Sequence, residues 1–123
     1  MYQFLNYKHE DRFNDICKRD KTHSNDYERQ ALFFIIAGND SLFKNVELLY
    51  DFEDKFIKLE ALEEEFLTGG TRSLVYLAFS LYGYGTCGVR QLFTHLDDVN
   101  SILAIEAMKF RFQIIDQLDY RAS

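Results

Sequence analysis

The sequence predicts an all-α protein, a single-domain bundle of about six to seven helices. Its buried central helix is expected at about 71–82 and its long C-terminal helix at about 98–118. The 123 residues include no proline, so no proline interrupts a long helix. Apolar residues recur with helical spacing along most of the chain, and glycines and capping residues stand at the expected helix ends. No repeat or linker divides the chain, which is long enough to form one domain without disulfides or metals.

The first two helices follow from their caps and apolar positions. Asn6 can cap a helix that runs to about Asp20. Asn25 and Glu28 have the spacing of a capping box shortly before the apolar run 31–37. Because this run lies between a cap and a glycine, it predicts a short, deeply buried helix rather than a strand.

A third helix is predicted after Gly38, which has the position of a helix C-terminal glycine. Asn39 or Asp40 can start this helix. Its apolar residues form one stripe, which consists of Leu42, Phe43, Val46, Leu49 and Tyr50.

The helical period is lost in residues 51–58, which predicts a loop. A short acidic helix is expected at about 59–67, ended by Gly69 and Gly70. The following segment, 71–82, has apolar side chains around most of its helical wheel, as expected of a helix in the middle of a bundle. Its narrow polar strip consists of Ser73, Tyr76 and Ser80.

One more amphipathic helix is predicted at about 89–96, and Asp97 or Asp98 can cap the last one. Between 99 and 118 apolar side chains again surround most of the wheel. Such a helix either runs through the centre of the bundle or packs one of its faces against a second copy in a homo-oligomer. The polar stripe expected to face water consists of Glu106, Lys109, Gln113 and Asp116.

The composition excludes several classes of protein. Cys17 and Cys87 are the two cysteines, too few and too far apart for a disulfide framework or a paired zinc motif, so we expect no metal or cofactor. The charged residues 8–10 argue against a secretory signal. The longest apolar run, 31–37, is far shorter than a membrane span. We therefore expect a soluble, cytoplasmic protein with reduced thiols and no membrane contact.

The negative charge is concentrated in one segment. From Glu47 to Glu65 there are eight acidic residues and two lysines, a local balance of minus six that equals the formal net charge of the whole chain. Nucleic-acid binding needs a basic footprint, so none is expected, whereas a protein with a basic surface is a suitable partner. A solvated face that keeps the protein soluble is the simpler alternative. The predicted partner-binding residues are Asp51, Glu53, Asp54, Glu60, Glu63, Glu64 and Glu65.

Residues 83–88, GYGTCG, have the spacing of a dinucleotide-binding fingerprint. That motif requires a strand before its first glycine, a helix after its last, and an acidic residue about 20 positions further on. The preceding segment has a helical pattern instead, and Glu106, at a suitable distance, belongs to the polar stripe of another helix. A turn between two helices is the simpler interpretation, with Gly83 ending one helix and Thr86 starting the next.

Cys87 lies near a predicted helix N-terminus, where the helix dipole can favour a thiolate. His95 follows eight residues later, and this spacing places it about 12 Å away along a helix axis, too far to act as the base of that thiol. We therefore expect no catalytic residue. A small enzyme or nucleotide-binding protein that uses the loop 83–88 and Cys87 remains an alternative function.

Three stretches of the chain carry a resemblance: 28–40 (ERQALFFIIAGND), 50–52 (YDF) and 77–82 (LAFSLY). They resemble a small family of unknown function from Gram-positive bacteria and their phages, and the resemblance spans most of the chain. It implies a bacterial cytoplasm and a mobile-element setting, and it brings no catalytic residue. The sequence as a whole predicts a non-enzymatic accessory factor that occupies a basic surface of a host protein. A self-assembling structural bundle is a second alternative.

Overall fold

The computed structural model describes residues 1–115, and this part of the chain contains seven α-helices. They are α1 (Tyr7–Asp20), α2 (Tyr27–Ala37), α3 (Asp40–Lys44), α4 (Val46–Leu49), α5 (Gly69–Tyr82), α6 (Val89–Thr94) and α7 (Asp98–Phe112). Between α4 and α5 lie a small antiparallel hairpin and a 3₁₀ helix. The hairpin strands are β1 (Tyr50–Asp51) and β2 (Phe56–Ile57), and the 3₁₀ helix is Leu59–Glu63. The predicted all-α bundle is confirmed.

Helix α2 lies at the centre of the bundle, where it packs on α1, α5 and α7. All residues of 31–37 are buried, as the unbroken apolar run predicted. Burial of one large apolar side chain contributes roughly 1.5–3 kcal/mol, so these residues contribute substantially to the stability of the bundle. Helix α5 is buried along most of its length, and Leu74 and Val75 are almost completely excluded from water. The predicted burial of this helix is confirmed.

Several helix ends lie where the sequence predicted them. Asn6 caps α1, since its side-chain oxygen accepts the backbone N–H of His9 at 2.9 Å. Asp97 caps α7 in the same way. Gly83 ends α5 with a φ of +117°, a conformation that favours glycine. The cap of α2 was predicted wrongly, because Asp26 and not Asn25 has this role.

The predicted third helix is broken into α3 and α4 at Asn45. The side-chain amide of Asn45 donates to the carbonyl oxygen of Ser41 at 2.8 Å, a local hydrogen bond of the kind that competes with a continuous helix. Tyr50 then enters β1 instead of continuing the helix. Leu49 and Tyr50 are nevertheless buried. The sequence therefore predicted correctly that these positions face the core, but wrongly that they continue one helix.

The boundaries around α5 and α6 also differ from the prediction. Gly69 and Gly70 begin α5 rather than ending the segment before it. The reason is a reciprocal cap, in which the backbone N–H of Thr68 donates to the hydroxyl of Thr71 at 2.7 Å and the N–H of Thr71 donates back to the hydroxyl of Thr68. The acidic helix expected at 59–67 is only a 3₁₀ helix. Helix α6 starts at Val89 after Gly88, not at Thr86.

Helix α7 begins as predicted but ends earlier than 118. It stops at Phe112, because Gln113 adopts a left-handed conformation with a φ of +53°. Its side-chain amide donates to the carbonyl oxygen of Phe110 at 2.6 Å, which helps to satisfy the end of the helix. Position 118 and Asp116 of the predicted polar stripe lie outside the described residues.

The predicted water-facing stripe of α7 is only partly correct. Gln113 is exposed, but Glu106 and Lys109 are half-buried and form an ion pair at 3.0 Å. The backbone N–H of Gln3 also donates to Glu106 at 2.7 Å, because the N-terminal segment packs along this side of α7. Ile102 and Ile105 are exposed instead. No helix within residues 1–115 has the length and apolar character needed to cross a bilayer.

Candidate functional site

The acidic segment 51–65 folds into the hairpin and the 3₁₀ helix, and the hairpin is tied to the end of α1. The hydroxyl of Tyr50 donates to a carboxylate oxygen of Asp20 at 2.7 Å, and the hydroxyl of Thr22 donates to the other oxygen at 2.7 Å. The ammonium of Lys55 donates to the backbone carbonyl of Asp20 at 2.5 Å. Burial, reinforced by Asp20, raises the pKa of Tyr50 well above its usual range, so this phenol stays a donor.

The 3₁₀ helix is tied to α5. The guanidinium of Arg72 donates to the backbone carbonyls of Leu62 and Leu67, the second at 3.2 Å. Ala61 and Leu67 are buried beneath the segment. Arg72 and Lys55 thus bind backbone carbonyl oxygens that accept no hydrogen bond within a helix or strand. Neither side chain pairs with a carboxylate of the acidic segment.

Six of the seven predicted contact residues lie at the surface of the anchored segment. Glu64 is half-buried and the others are exposed. Within residues 1–115 none of these six carboxylates forms an ion pair or accepts a hydrogen bond. The structure therefore keeps them together on one anchored segment and leaves their charge uncompensated. They are Glu53, Asp54, Glu60, Glu63, Glu64 and Glu65.

Asp51, the seventh predicted contact residue, has a structural role. One oxygen of its carboxylate accepts the backbone N–H groups of Glu53 and Asp54, at 2.9 and 3.0 Å. This arrangement shapes the turn of the hairpin and stabilises the charged form of the side chain. The same two backbone hydrogen bonds lower the pKa of Asp51.

An aromatic cluster joins the hairpin to the glycine loop 83–88. The ring of Phe56 makes edge contacts with Tyr84 at 5.1 Å and Tyr82 at 5.9 Å between centroids, and the two tyrosine rings stack at 6.1 Å. Arg29 of α2 donates to the hydroxyl of Tyr82 at 3.1 Å. No sequence pattern indicated this contact, because helical and strand periodicity do not report neighbours so distant in the chain. The two motifs that the sequence analysis treated separately thus lie side by side.

The glycine loop has the geometry of a turn between helices. Helix α5 occupies the position at which a dinucleotide-binding fold has a strand, and Gly83 and Gly85 have positive φ angles of +117° and +77°. Glu106, the acid at a suitable spacing for a ribose, is paired with Lys109 and bonded to Gln3. A dinucleotide-binding motif needs a strand before the first glycine and a free acidic residue for the ribose. Here a helix precedes Gly83, and the carboxylate of Glu106 is already paired.

The thiols and the buried imidazole do not form a catalytic pair. Burial raises the pKa of Cys87, opposite to the effect expected from a helix dipole, and raises that of Cys17 to about 12. His9 donates from Nε2 to the carbonyl of Phe34 at 2.8 Å and accepts the N–H of Leu5 at Nδ1, so both nitrogens are engaged. In the described part of the chain, no three histidine, cysteine or acidic side chains are grouped to hold a metal ion.

A polar cavity of about 400 Å³ lies between the start of α1, the start of α3 and the start of α7. Asp40 pairs there with Arg12 at 2.5 Å and with Lys8 at 3.3 Å, which lowers the pKa of Asp40. The amide of Asn39 donates to the side-chain oxygen of Asn100 at 3.2 Å. The sequence did not predict this cavity, since its lining comes from separate segments. The side chains of these two ion pairs and of the asparagine contact are thus engaged with one another.

Comparison with known proteins shows to which family the chain belongs. The family described as "Family of unknown function (DUF6075)" matches residues 1–118. The chain belongs to the DUF6075 family. The match covers every described element of this DUF6075 member, including the acidic segment and the glycine loop. The resemblance to a family of unknown function is thus confirmed. No curated protein and no solved structure matches the chain.

Proposed function

We propose that this DUF6075 protein is a non-enzymatic accessory factor of a Gram-positive bacterium or its phage. It acts in the cytoplasm by occupying a basic surface of a host protein. The contact is made by the acidic segment, through the six unpaired carboxylates of residues 53–65. Asp51, the seventh predicted contact residue, supports the hairpin that carries them through one of its carboxylate oxygens.

One observation carries this proposal: the six carboxylates are uncompensated although cations are close in the fold. Lys55 and Arg72 donate to backbone carbonyls, and Arg19 pairs with Glu47 at 2.5 Å. Grouping like charges costs stability unless another interaction offsets it. A basic partner would supply that interaction, and the negative surface would also steer its approach.

The acidic segment also offers apolar contacts. Phe56 is 37% exposed and Leu59 is 51% exposed, and both lie within the same segment. Protein interfaces commonly combine apolar or aromatic anchors with a charged rim. Because the hairpin and the 3₁₀ helix are already fixed to α1 and α5, little conformational entropy is lost when a partner binds.

The test is capture of proteins from a Gram-positive host extract by the immobilised protein, with identification by mass spectrometry. The variant E63K/E65K reverses two exposed acids of the segment. The matched control D11K/D15K reverses two exposed acids on α1 and changes the net charge equally. Circular dichroism establishes that both variants are folded.

We expect E63K/E65K to lose a basic partner that the wild type and D11K/D15K both retain. Capture should also weaken as salt is raised, because exposed charges are screened over about 10 Å at 0.1 M ionic strength. Equal capture by all three proteins, or equal loss in both variants, would rule out the acidic segment as the contact.

A further inference from the structure

Four arginines within residues 1–115 share one arrangement, in which the guanidinium lies over an aromatic ring and pairs with a carboxylate. The four sets are Arg12 with Phe43 and Asp40, Arg19 with Phe52 and Glu47, Arg29 with Tyr82 and Asp26, and Arg111 with Phe112 and Glu28. The guanidinium carbon lies 3.8–5.6 Å from the ring centre. A planar guanidinium suits this arrangement, because its face stacks on the ring while its N–H groups bind the carboxylate.

The acidic segment and the glycine loop together present the rings of such a set to solvent. Phe56 and Tyr84, which we call the aromatic corner, are 37% and 42% exposed, and their rings are nearly perpendicular, at 85°. Tyr84 also stacks on the buried Tyr82, which holds the corner in place. Within residues 1–115, no arginine lies over either ring of the corner.

Carboxylates of the same segment complete the comparison. Glu53 and Asp54 precede Phe56 by three and two residues, and both are exposed. Like the other four acidic side chains at the surface of this segment, they have no ion pair in the described part of the chain. The segment thus supplies rings and carboxylates, and the guanidinium that joins them in the four internal sets is missing here.

The cations of the segment and of the neighbouring α2 are already engaged elsewhere. Arg29 belongs to one of the four sets, and the ammonium of Lys55 donates to the backbone carbonyl of Asp20. Lys58 lines a separate shallow groove beside Phe52. The charge at the aromatic corner is therefore complementary to a cation that another molecule brings.

We propose that the partner of the acidic segment presents an arginine, rather than a lysine, to the aromatic corner. Its guanidinium stacks on the exposed rings of Phe56 and Tyr84, and its N–H groups bind carboxylates of the segment. A lysine ammonium is a compact, strongly hydrated charge and gains less from a ring. This inference rests on the proposed function, and it names the side chain by which the basic partner is recognised.

Isothermal titration calorimetry with hexa-arginine and hexa-lysine peptides tests this preference, because the two peptides carry the same side-chain charge. The wild type should bind hexa-arginine roughly three- to ten-fold more tightly, the range expected of stacking on exposed rings. Equal affinities, or no binding of hexa-arginine, would overturn the proposal.

Replacement of the rings shows whether the aromatic corner causes the preference. Tyr84→Leu and Phe56→Leu keep an apolar side chain and remove the ring, so each should reduce the preference for arginine and leave the affinity for hexa-lysine nearly unchanged. Tyr7→Leu is the matched control, since it removes an 86% exposed tyrosine on α1 and should keep the preference. Unchanged affinity for hexa-lysine also shows that the acidic segment is still folded. A preference that survives both ring replacements overturns the proposal.

The variant E63K/E65K separates this inference from the proposed function. It should weaken the binding of both peptides by a similar factor, because it removes charge and leaves the rings. If it weakens neither, the acidic contact fails, and the arginine inference fails with it. If it weakens both while the ring replacements leave the preference for arginine intact, the arginine inference alone is wrong.

Discussion

The hydroxyl of Tyr50 lies 2.7 Å from a carboxylate oxygen of Asp20, and the two residues are only 1% and 2% exposed. Asp20 ends α1 and Tyr50 begins the hairpin, so this buried bond fixes the acidic segment to the bundle. A buried carboxylate is costly unless its oxygens are hydrogen-bonded. The hydroxyls of Tyr50 and Thr22 bond to the two oxygens.

Tyr50→Phe removes one of those donors and leaves a carboxylate oxygen buried without it. We expect the free energy of unfolding to fall by about 1–3 kcal/mol, the usual cost of an unsatisfied buried polar group. Urea denaturation measures this change. Tyr7→Phe is the control, since Tyr7 is 86% exposed and should change stability little. Equal stability of Tyr50→Phe and Tyr7→Phe would contradict a stabilising role for the buried bond.

Local patterns were sufficient to predict much of the helical framework. The run 31–37 has no polar residue, so the sequence alone shows that it is buried, and the caps Asn6 and Asp97 follow from residue type and position. Thr68 and Thr71 were missed because two adjacent glycines usually end a helix, whereas here a reciprocal cap starts one.

Features that depend on distant contacts could not be predicted. The sequence located the acidic segment by its charge, but it carried no signal for the bond between Asp20 and Tyr50 or for the contact between Phe56 and Tyr84. The helical periodicity of α7 likewise predicted that Glu106 faces water. The N-terminal segment occupies that side through the bond from Gln3, which no periodicity within α7 can report.

Gly38 is required by the close approach of α7 to the end of α2. A Cβ atom at this position would collide with Cδ1 of Leu103, and it would lie 2.9 Å from Cδ2 of Leu103 and 3.1 Å from Nε2 of His9. Leu103 is fully buried and cannot move aside freely. We expect Gly38→Ala to reduce the free energy of unfolding by about 1–3 kcal/mol through overpacking.

Thermal or urea unfolding of Gly38→Ala measures this cost. Gly88→Ala is the matched control, because its φ is negative and the nearest atom to its added Cβ is 3.9 Å away. A further variant, Leu103→Ala combined with Gly38→Ala, should show less than additive loss, since the collision is removed. Additive losses would mean that the two residues do not interact.

The buried imidazole of His9 gives a prediction for pH. Its ring lies against Phe34 at 4.5 Å and Phe4 at 5.1 Å, and this burial lowers its pKa below the ordinary value of 6.5. The unfolded chain therefore takes up a proton at a pH where the folded protein does not. The stability contributed by neutral His9 is complete above about pH 6.5 and is lost as the pH falls below it, by at most about 1.4 kcal/mol per pH unit.

His9→Gln removes this titration while keeping a neutral amide that can donate to the carbonyl of Phe34. The free energy of unfolding, measured by urea at about pH 7 and about pH 5, should therefore fall more for the wild type than for His9→Gln. His95→Gln controls for an exposed imidazole and should behave as the wild type does. Asp40 and Asp51, whose pKa values are lowered, titrate further down in acid and affect all three proteins alike. An equal loss in the wild type and His9→Gln would show that His9 does not control the acid sensitivity of the fold.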